Sequence, residues 1–205
     1  MTLAPSLYLA GPDVFEPDAA ARFEAMKRIC ERHGAVGLSP LDAPAGAPLA
    51  GRVGALAIFD RNAALIGGCD AVIANVTPFR GPSADVGTAL EIGMAYALGR
   101  PVFGYSRVAL EYRAKVTTAP EAGQGAPLFA ADGFSIEDFG MFDNLMIVGA
   151  IERSGGTLIF GEAGDGAGGP GADLDLFERC VAEAALLLRV SPMHAPPAGA
   201  YWAAL

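Results

Sequence analysis

The sequence predicts an α/β protein in which helices cover both faces of a parallel sheet of about five strands. Three observations support this fold class. Short apolar runs alternate with helical stretches along the chain, and glycine or proline ends most of these elements. The chain of 205 residues is long enough for a hydrophobic core, and it contains no internal repeat. We therefore predict a single domain over residues 1–205.

Each predicted strand is an apolar run that ends at glycine, proline or a polar loop. In chain order, the strands are 7–10, 35–39, 71–76, a run that begins at Val102, and 157–160. Each predicted helix has apolar residues at helical spacing, and several end at a glycine such as Gly34 or Gly99. In chain order, the helices are 17–33, 53–66, 85–98, 143–151 and 174–190.

Three segments do not fit this alternation. Residues 107–142 are predicted to form a long loop, and loops of that length are usually functional or engaged with another chain. Residues 161–171 are rich in glycine and predict a flexible surface loop. Residues 192–205 are predicted to form an irregular C-terminal tail.

Composition excludes several classes of function. The net charge of −9 and the pI near 4.6 argue against a nucleic-acid partner, because such binding requires a basic surface. Cys30, Cys69 and Cys180 form neither a metal-binding pattern nor an even disulfide set, so we expect no metal site and a cytoplasmic location. We also expect no signal peptide and no membrane span, since no apolar run approaches about 20 residues.

Two carboxylates follow the predicted strand 71–76. A polar loop leads from this strand to Asp85 at a helix start, and Glu91 lies six residues later. Ligands of open α/β sheets bind at such strand ends, and paired carboxylates there suit acid–base or nucleophilic cleavage of a glycosidic bond. The structural alternatives are that Asp85 is only a helix cap, and that Glu91 faces solvent or forms a capping box with Thr88.

The start of the chain adds further candidates near the same sheet edge. If the first and third strands are adjacent, the hydroxyl of Tyr8 reaches Glu91 and orients it, although strand tyrosines are usually core residues. Gly11 permits a tight turn, and Phe15 beyond it suits stacking on a planar base. Asp42 follows the second strand and is a candidate for lining the same pocket. Asp13 and Asp143, in contrast, are interpreted as ordinary turn or cap residues.

Three separated blocks closely resemble the nucleoside 2-deoxyribosyltransferases. They are YLAGPDVF, which begins at Tyr8, IFDRNAALIGGCDAVIANVTPFRGPSADVGTALEIGMAYALG, and GFSIEDFGMFDNLMI, and together they cover roughly residues 6–150. The resemblance implies a Rossmann-like or flavodoxin-like fold. It also implies that Glu91 attacks C1′ of a 2′-deoxynucleoside, that Asp85 assists protonation of the leaving base, and that Tyr8 positions the nucleophile. A second base then accepts the deoxyribosyl group.

The same resemblance implies further contacts with substrate. Asn144 and Met146 match a stretch that a neighbouring subunit inserts into the active site, which implies a homo-oligomer built from dimers, up to a hexamer. Asn62 aligns with a base-binding aspartate of some members, and Asp60 lies two residues before it, so either is a candidate for contacting the base. Gly87, beside Asp85, is another candidate for substrate contact.

We therefore expect an enzyme that uses 2′-deoxynucleosides and free nucleobases, with no cofactor. Two alternatives stay open. One is an N-glycoside hydrolase of the same superfamily, which uses water as the acceptor. The other is a non-catalytic nucleotide-sensing module with the same fold. Phenylalanines of the long loop are the expected contacts between subunits: Phe129, Phe134 and Phe139.

Overall fold

A computed structural model gives the structure of the protein and describes residues 4–42, 50–116, 129–130, 132–161 and 173–190. Nearly all of the predicted glycine-rich loop 161–171 and the whole predicted tail 192–205 lie outside the described residues. Within the part of the chain that is described, each helix is too short or too polar to span a bilayer.

Five strands form one parallel sheet, which confirms the predicted fold class. In chain order they are β1 (Ser6–Ala10), β2 (Val36–Leu38), β3 (Ala71–Asn75), β4 (Val102–Ser106) and β5 (Leu158–Phe160). Their order across the sheet is β2-β1-β3-β4-β5, and all neighbouring pairs are parallel. This is the flavodoxin-like order, in which β1 and β3 are adjacent.

Six α-helices and a short 3₁₀ helix at Pro12–Phe15 accompany the sheet. The α-helices are α1 (Ala19–Arg32), α2 (Gly51–Gly68), α3 (Val86–Ala97), α4 (Tyr112–Val116), α5 (Leu145–Arg153) and α6 (Leu174–Val190). The predicted long loop is therefore interrupted by α4, whose five residues are too few to give a clear periodic pattern in the sequence.

The two faces of the sheet have separate cores, because successive side chains of a strand point to opposite faces. In β1, Leu7 and Leu9 pack with α1 and α6, whereas Tyr8 and Ala10 pack with residues of α2, α3 and α5. Phe177 of α6 is fully buried in the first core, which stabilises the fold by about 2–3 kcal/mol relative to an exposed ring. Tyr8 therefore faces the helix that carries Glu91.

The arrangement of connections creates a crevice at the carboxyl ends of β1 and β3. The chain leaves β1 toward α1 on one face, and it leaves β3 toward α3 on the other face. Ligands of doubly wound sheets bind where the chain directions diverge in this way. Side chains that follow β1 and β3 are therefore placed around one potential binding site.

Candidate active site

Tyr8 and Glu91 form a hydrogen bond on the α3 face of the sheet. The Tyr8 hydroxyl donates to Oε1 of Glu91 at 2.6 Å. Tyr8 has no exposed surface, and Glu91 is partly buried. The helix begins after Asp85, so Thr88 is not the cap residue and the capping-box alternative does not occur. The strand adjacency on which the expected contact depended is present in the sheet.

The surroundings of Glu91 change its protonation. Burial raises its pKa from 4.5 to about 7, the hydrogen bond from Tyr8 opposes this rise, and the nearby charge of Asp85 adds to it. Burial and the Glu91 carboxylate also raise the pKa of Tyr8, so the phenol stays protonated and acts as the donor. Glu91 thus changes between its acid and carboxylate forms near neutral pH. Groups that act as acids, bases or nucleophiles in active sites often have pKa values shifted in this way.

Asp85 is the N-cap of α3. Its Oδ2 accepts hydrogen bonds from the backbone N–H groups of Gly87 at 3.0 Å and Thr88 at 3.1 Å. A Cβ at Gly87 would lie 2.9 Å from that same oxygen, so the cap requires glycine or a local shift. Asp85 therefore caps the helix and lies close enough to Glu91 to influence its pKa, while its Oδ1 takes no part in the cap.

The turn after β1 rests on a buried ion network, so the interpretation of Asp13 as an ordinary turn residue was wrong. Asp13 is buried and forms an ion pair with Arg22, which also pairs with Asp173 at 2.8 Å. Asn75, at the end of β3, donates to Oδ2 of Asp13 at 3.1 Å. A Cβ at Gly11 would lie 2.2 Å from that oxygen, so glycine is needed at this position because of space.

Phe15 does not present a free ring at the sheet edge. Its ring stacks on that of Phe79, with centroids 5.3 Å apart and an angle of 10° between the planes. The guanidinium of Arg80 lies over both rings, 5.1 Å from the Phe15 centroid and 4.8 Å from the Phe79 centroid. Arg80 has a φ of 54°, a conformation that non-glycine residues adopt rarely. An aromatic pair with a cation thus bridges the loops after β1 and β3.

Helix α2 turns Asn62 inward and Asp60 outward. Asp60 is exposed, whereas Asn62 is half-buried, and its Oδ1 is a buried acceptor that has no hydrogen-bond partner in the described part of the chain. Arg61 is also half-buried, its Nη2 donates to the carbonyl of Pro40, and its charge lowers the pKa of Tyr8 against the larger effect of burial. Arg61 was not a candidate in the sequence, since an arginine on a helix is usually solvated there.

Asp42 forms local contacts. It is exposed, one carboxylate oxygen pairs with Lys27, and the other accepts a hydrogen bond from the backbone N–H of Ser39 at 2.9 Å. Both oxygens therefore stabilise the turn that follows β2, and the structure gives no contact from Asp42 to the Tyr8–Glu91 pair.

Comparison with known proteins agrees with this geometry. The family model described as nucleoside 2-deoxyribosyltransferase matches residues 7–146. A 2-desoxiribosyltransferase from Leishmania mexicana is 35% identical, with a TM-score of 0.56 over 70% of this chain and 85% of that one. The chain belongs to the nucleoside 2-deoxyribosyltransferase family.

Two further relatives carry no stated activity. An uncharacterized protein of Schizosaccharomyces pombe is 34% identical over 75% of this chain and 80% of its own length. A conserved protein from Enterococcus faecalis V583 is 21% identical, with a TM-score of 0.50 over 87% of this chain and 98% of that chain, and this likeness shows the fold alone.

In this member of the nucleoside 2-deoxyribosyltransferase family, Asn144 and Met146 lie away from the Glu91 of their own chain. Asn144 caps α5 by accepting from the N–H of Met146 at 3.0 Å, and its Nδ2 donates to Glu137 at 2.7 Å. Met146 is 72% exposed. Both residues line a cavity of about 470 Å³ whose α3 residues are Ala89, Leu90 and Gly93 instead of Glu91.

Asp143 holds the loop that carries Asn144. Its contacts extend beyond the helix start, whereas its sequence context suggested only an ordinary turn or cap residue. The Asp143 carboxylate is buried and accepts hydrogen bonds from the Ser83 hydroxyl, from the N–H of Ala84 at 3.0 Å and from the N–H of Asn144 at 2.7 Å. Asp143 thus ties the start of α5 to the loop before α3.

Proposed function

We propose that this protein transfers the 2-deoxyribosyl group between nucleobases through a covalent ester on Glu91. The observation that carries the proposal is the 2.6 Å hydrogen bond from the buried Tyr8 hydroxyl to Oε1 of Glu91. A carboxylate held in this way, with a pKa near 7, is desolvated and oriented as a nucleophile needs to be. The family to which the chain belongs gives the substrate class.

The first half of the reaction breaks the bond between C1′ and the base nitrogen. Because Tyr8 occupies Oε1, the attacking atom is Oε2 of ionised Glu91, and its electron pair forms the new bond to C1′. The electrons of the C1′–N bond move to the base, which takes up a solvent proton that Oδ1 of Asp85 relays to it. In the second half, the nitrogen of another base attacks C1′, its N–H proton passes to solvent by way of Asp85, and Glu91 leaves as a carboxylate.

The neighbouring elements supply the walls of the site. The Phe15–Phe79 pair offers an aromatic surface against which a planar base can pack, and Gly11 and Gly87 allow the substrate to approach the backbone closely. Asn62 faces inward from α2 as a contact for the base. Asp60 is exposed and Asp42 is held in its turn, so neither contributes to this mechanism.

We also propose that the active site is completed in a homo-oligomer. Asn144 and exposed Met146 point away from their own Glu91, as expected for residues that serve a neighbouring chain. The exposed phenylalanines of the same region supply apolar contact area: Phe129, Phe134 and Phe139. The three cysteines are buried and free of disulfides, which supports a reducing compartment, the cytoplasm.

Base exchange tests the proposal directly. Purified protein is incubated with a 2′-deoxynucleoside, with and without a second free base, and products are separated by chromatography. A new deoxynucleoside is the expected result, whereas free deoxyribose alone would identify the hydrolase alternative instead. Glu91→Ala is expected to abolish base release while the protein stays folded. Glu31→Ala, an exposed glutamate on α1, is the matched control and should retain full activity.

A further inference from the structure

Two adjacent residues of α2 carry polar atoms that have no hydrogen-bond partner among the residues that the structure describes. Nε of Arg61 and Oδ1 of Asn62 are both buried and unpaired. Buried polar groups of folded proteins almost always have a partner, because an unpaired one destabilises the folded state. One atom is a donor and the other is an acceptor, so a ligand with the complementary pair of groups would satisfy both.

Both residues lie on the less exposed part of α2, and Arg61 lies beside the site. The buried and half-buried residues of this helix are Gly54, Ile58, Arg61, Asn62, Ala63, Leu65 and Ile66. A hydrogen bond to the carbonyl of Pro40 holds the end of the Arg61 side chain, and its charge acts on the Tyr8 phenol that contacts Glu91. The donor on Arg61 is thus fixed beside the reacting pair.

We propose that Arg61 and Asn62 together select bases that carry a lactam edge, with the Arg61 Nε–H donating to the ring carbonyl and the Asn62 Oδ1 accepting from the adjacent ring N–H. This inference rests on the proposed function and adds Arg61 as a residue that determines specificity. The preferred substrates are 2′-deoxynucleosides of 6-oxopurines such as hypoxanthine. Adenine presents the reverse pattern, an exocyclic amino donor beside a ring-nitrogen acceptor, so in the same orientation it places a donor against the Arg61 Nε–H and an acceptor against the Asn62 Oδ1.

Substrate analogues test each half of the pair on the unaltered protein. Initial rates of base release are measured for 2′-deoxyinosine, for the 2′-deoxyriboside of purine, which lacks the carbonyl, and for 1-methyl-2′-deoxyinosine, which lacks the N–H. Each assay is run with and without a fixed concentration of one acceptor base. We expect kcat/KM for each analogue to be lower than for 2′-deoxyinosine by roughly tenfold or more. Equal values for the three nucleosides overturn the inference.

Nucleosides also differ in how easily they lose their base, whatever the enzyme does. This difference cancels when kcat/KM of Arg61→Met is divided by kcat/KM of the wild type for the same nucleoside, so the variant isolates recognition of the carbonyl. The variant should lose activity on 2′-deoxyinosine but change little on the purine 2′-deoxyriboside, so that the ratio of the first kcat/KM to the second falls by roughly tenfold relative to the wild type. Arg52→Met, the same substitution at an exposed position of α2, should preserve the wild-type ratio. An equal loss on both nucleosides, or an unchanged ratio, contradicts a role in recognition. Should Arg61→Met not fold, the analogue series alone decides.

The same assays distinguish the inference from the function on which it rests. Release of base from all the nucleosides at similar rates overturns the lactam-edge selection and leaves the proposed function intact. Absence of base release from every nucleoside overturns both.

Discussion

The hydroxyl of Tyr8 and the carboxylate of Glu91, which are 83 positions apart in the chain, lie 2.6 Å from each other in the fold. The contact joins β1 to α3 across the sheet face that α2, α3 and α5 cover. It gives a buried carboxylate one strong donor and leaves its second oxygen to react. The chemistry that we propose for the protein depends on this pair.

Replacement of Tyr8 by phenylalanine should slow base exchange by roughly ten- to a hundredfold, because a hydrogen bond to a charged group is lost while the ring is kept. Since that bond lowers the pKa of Glu91, the midpoint of the pH–rate profile should also move upward. Tyr105→Phe is a matched control, because Tyr105 is a buried strand tyrosine whose hydroxyl has no hydrogen-bond partner within the described ranges. A Tyr8→Phe enzyme with wild-type rate and profile would contradict the positioning role.

The pH dependence of the wild type follows from the nucleophile itself. Burial raises the pKa of Glu91 to about 7, and only the carboxylate form attacks C1′. We therefore expect kcat/KM to increase as the pH rises through about 7 and then to level off, in assays of the free enzyme with limiting substrate. A rate that is already maximal at pH 5 would show that Glu91 is ionised there and is less desolvated than its burial indicates.

Activity should rise with pH through the titration of Glu91, whereas the contribution of Glu91 to the free energy of unfolding should fall. The pKa of Glu91 is about 7 in the folded state against an ordinary value of 4.5, so the folded state binds the proton more tightly. The resulting stabilisation is present below pH 4.5 and is lost as the pH rises to about 7, in total about 3 kcal/mol.

Glu91→Gln cannot ionise and should escape this loss. The free energy of unfolding of the variant, relative to that of the wild type, should increase between pH 4.5 and pH 8 by about 3 kcal/mol, measured by urea unfolding. The exposed substitution Glu31→Gln should give a difference that is independent of pH in this range. A constant difference for Glu91→Gln would mean that the carboxylate is well solvated in the folded protein.

Asp85 caps α3 and, in the proposed mechanism, helps to protonate the leaving base, and two substitutions separate these roles. Asparagine keeps an oxygen that can cap α3, so Asp85→Asn should preserve stability, whereas Asp85→Ala should cost about 1 kcal/mol. Both variants lack the carboxylate that we propose relays the proton, and exchange should fall by roughly two to four orders of magnitude in each. Near-normal exchange by a stable Asp85→Asn protein would leave Asp85 as a cap alone.

The ion network below the turn after β1 should contribute strongly to stability. Arg22 pairs with three carboxylates, of which those of Asp13 and Asp173 are buried; Asp13→Ala removes one of these two and should destabilise the protein by about 3 kcal/mol in urea unfolding. Asp42→Ala breaks the exposed ion pair with Lys27 and should cost less than about 1 kcal/mol. Similar costs for both variants would indicate that water reaches Asp13.

The fold class could be predicted because it depends on strong local patterns, whereas the Tyr8–Glu91 contact was predicted only on the condition that two strands are neighbours. Apolar runs separated by glycine and proline define the strands, and the cap at Asp85 defines where α3 begins. The contact itself required β1 and β3 to be neighbours, which the spacing of residues along the chain does not state. The resemblance to a known family supplied the roles of these residues.

Other parts of the site could not be predicted, because they depend on partners far away in the chain. Asp13 has the local context of a turn residue, but Arg22 reaches it from α1 and also joins Asp173, which is 151 positions from Arg22. Phe79 follows β3 without any sequence pattern that points to Phe15. The side chain of Asp42 forms its own turn and ion pair, and nothing in the sequence distinguishes that arrangement from a pocket residue.

Mass spectrometry of the covalent intermediate tests the central claim most directly. The protein is mixed with a 2′-fluoro-2′-deoxynucleoside, whose fluorine slows breakdown of the ester by destabilising positive charge at C1′, and is then digested and analysed. We predict a fluorinated sugar on the peptide that contains Glu91, and none in the Glu91→Gln variant. Base release from this nucleoside with no sugar attached to the protein, or with the sugar on another residue, would contradict the mechanism.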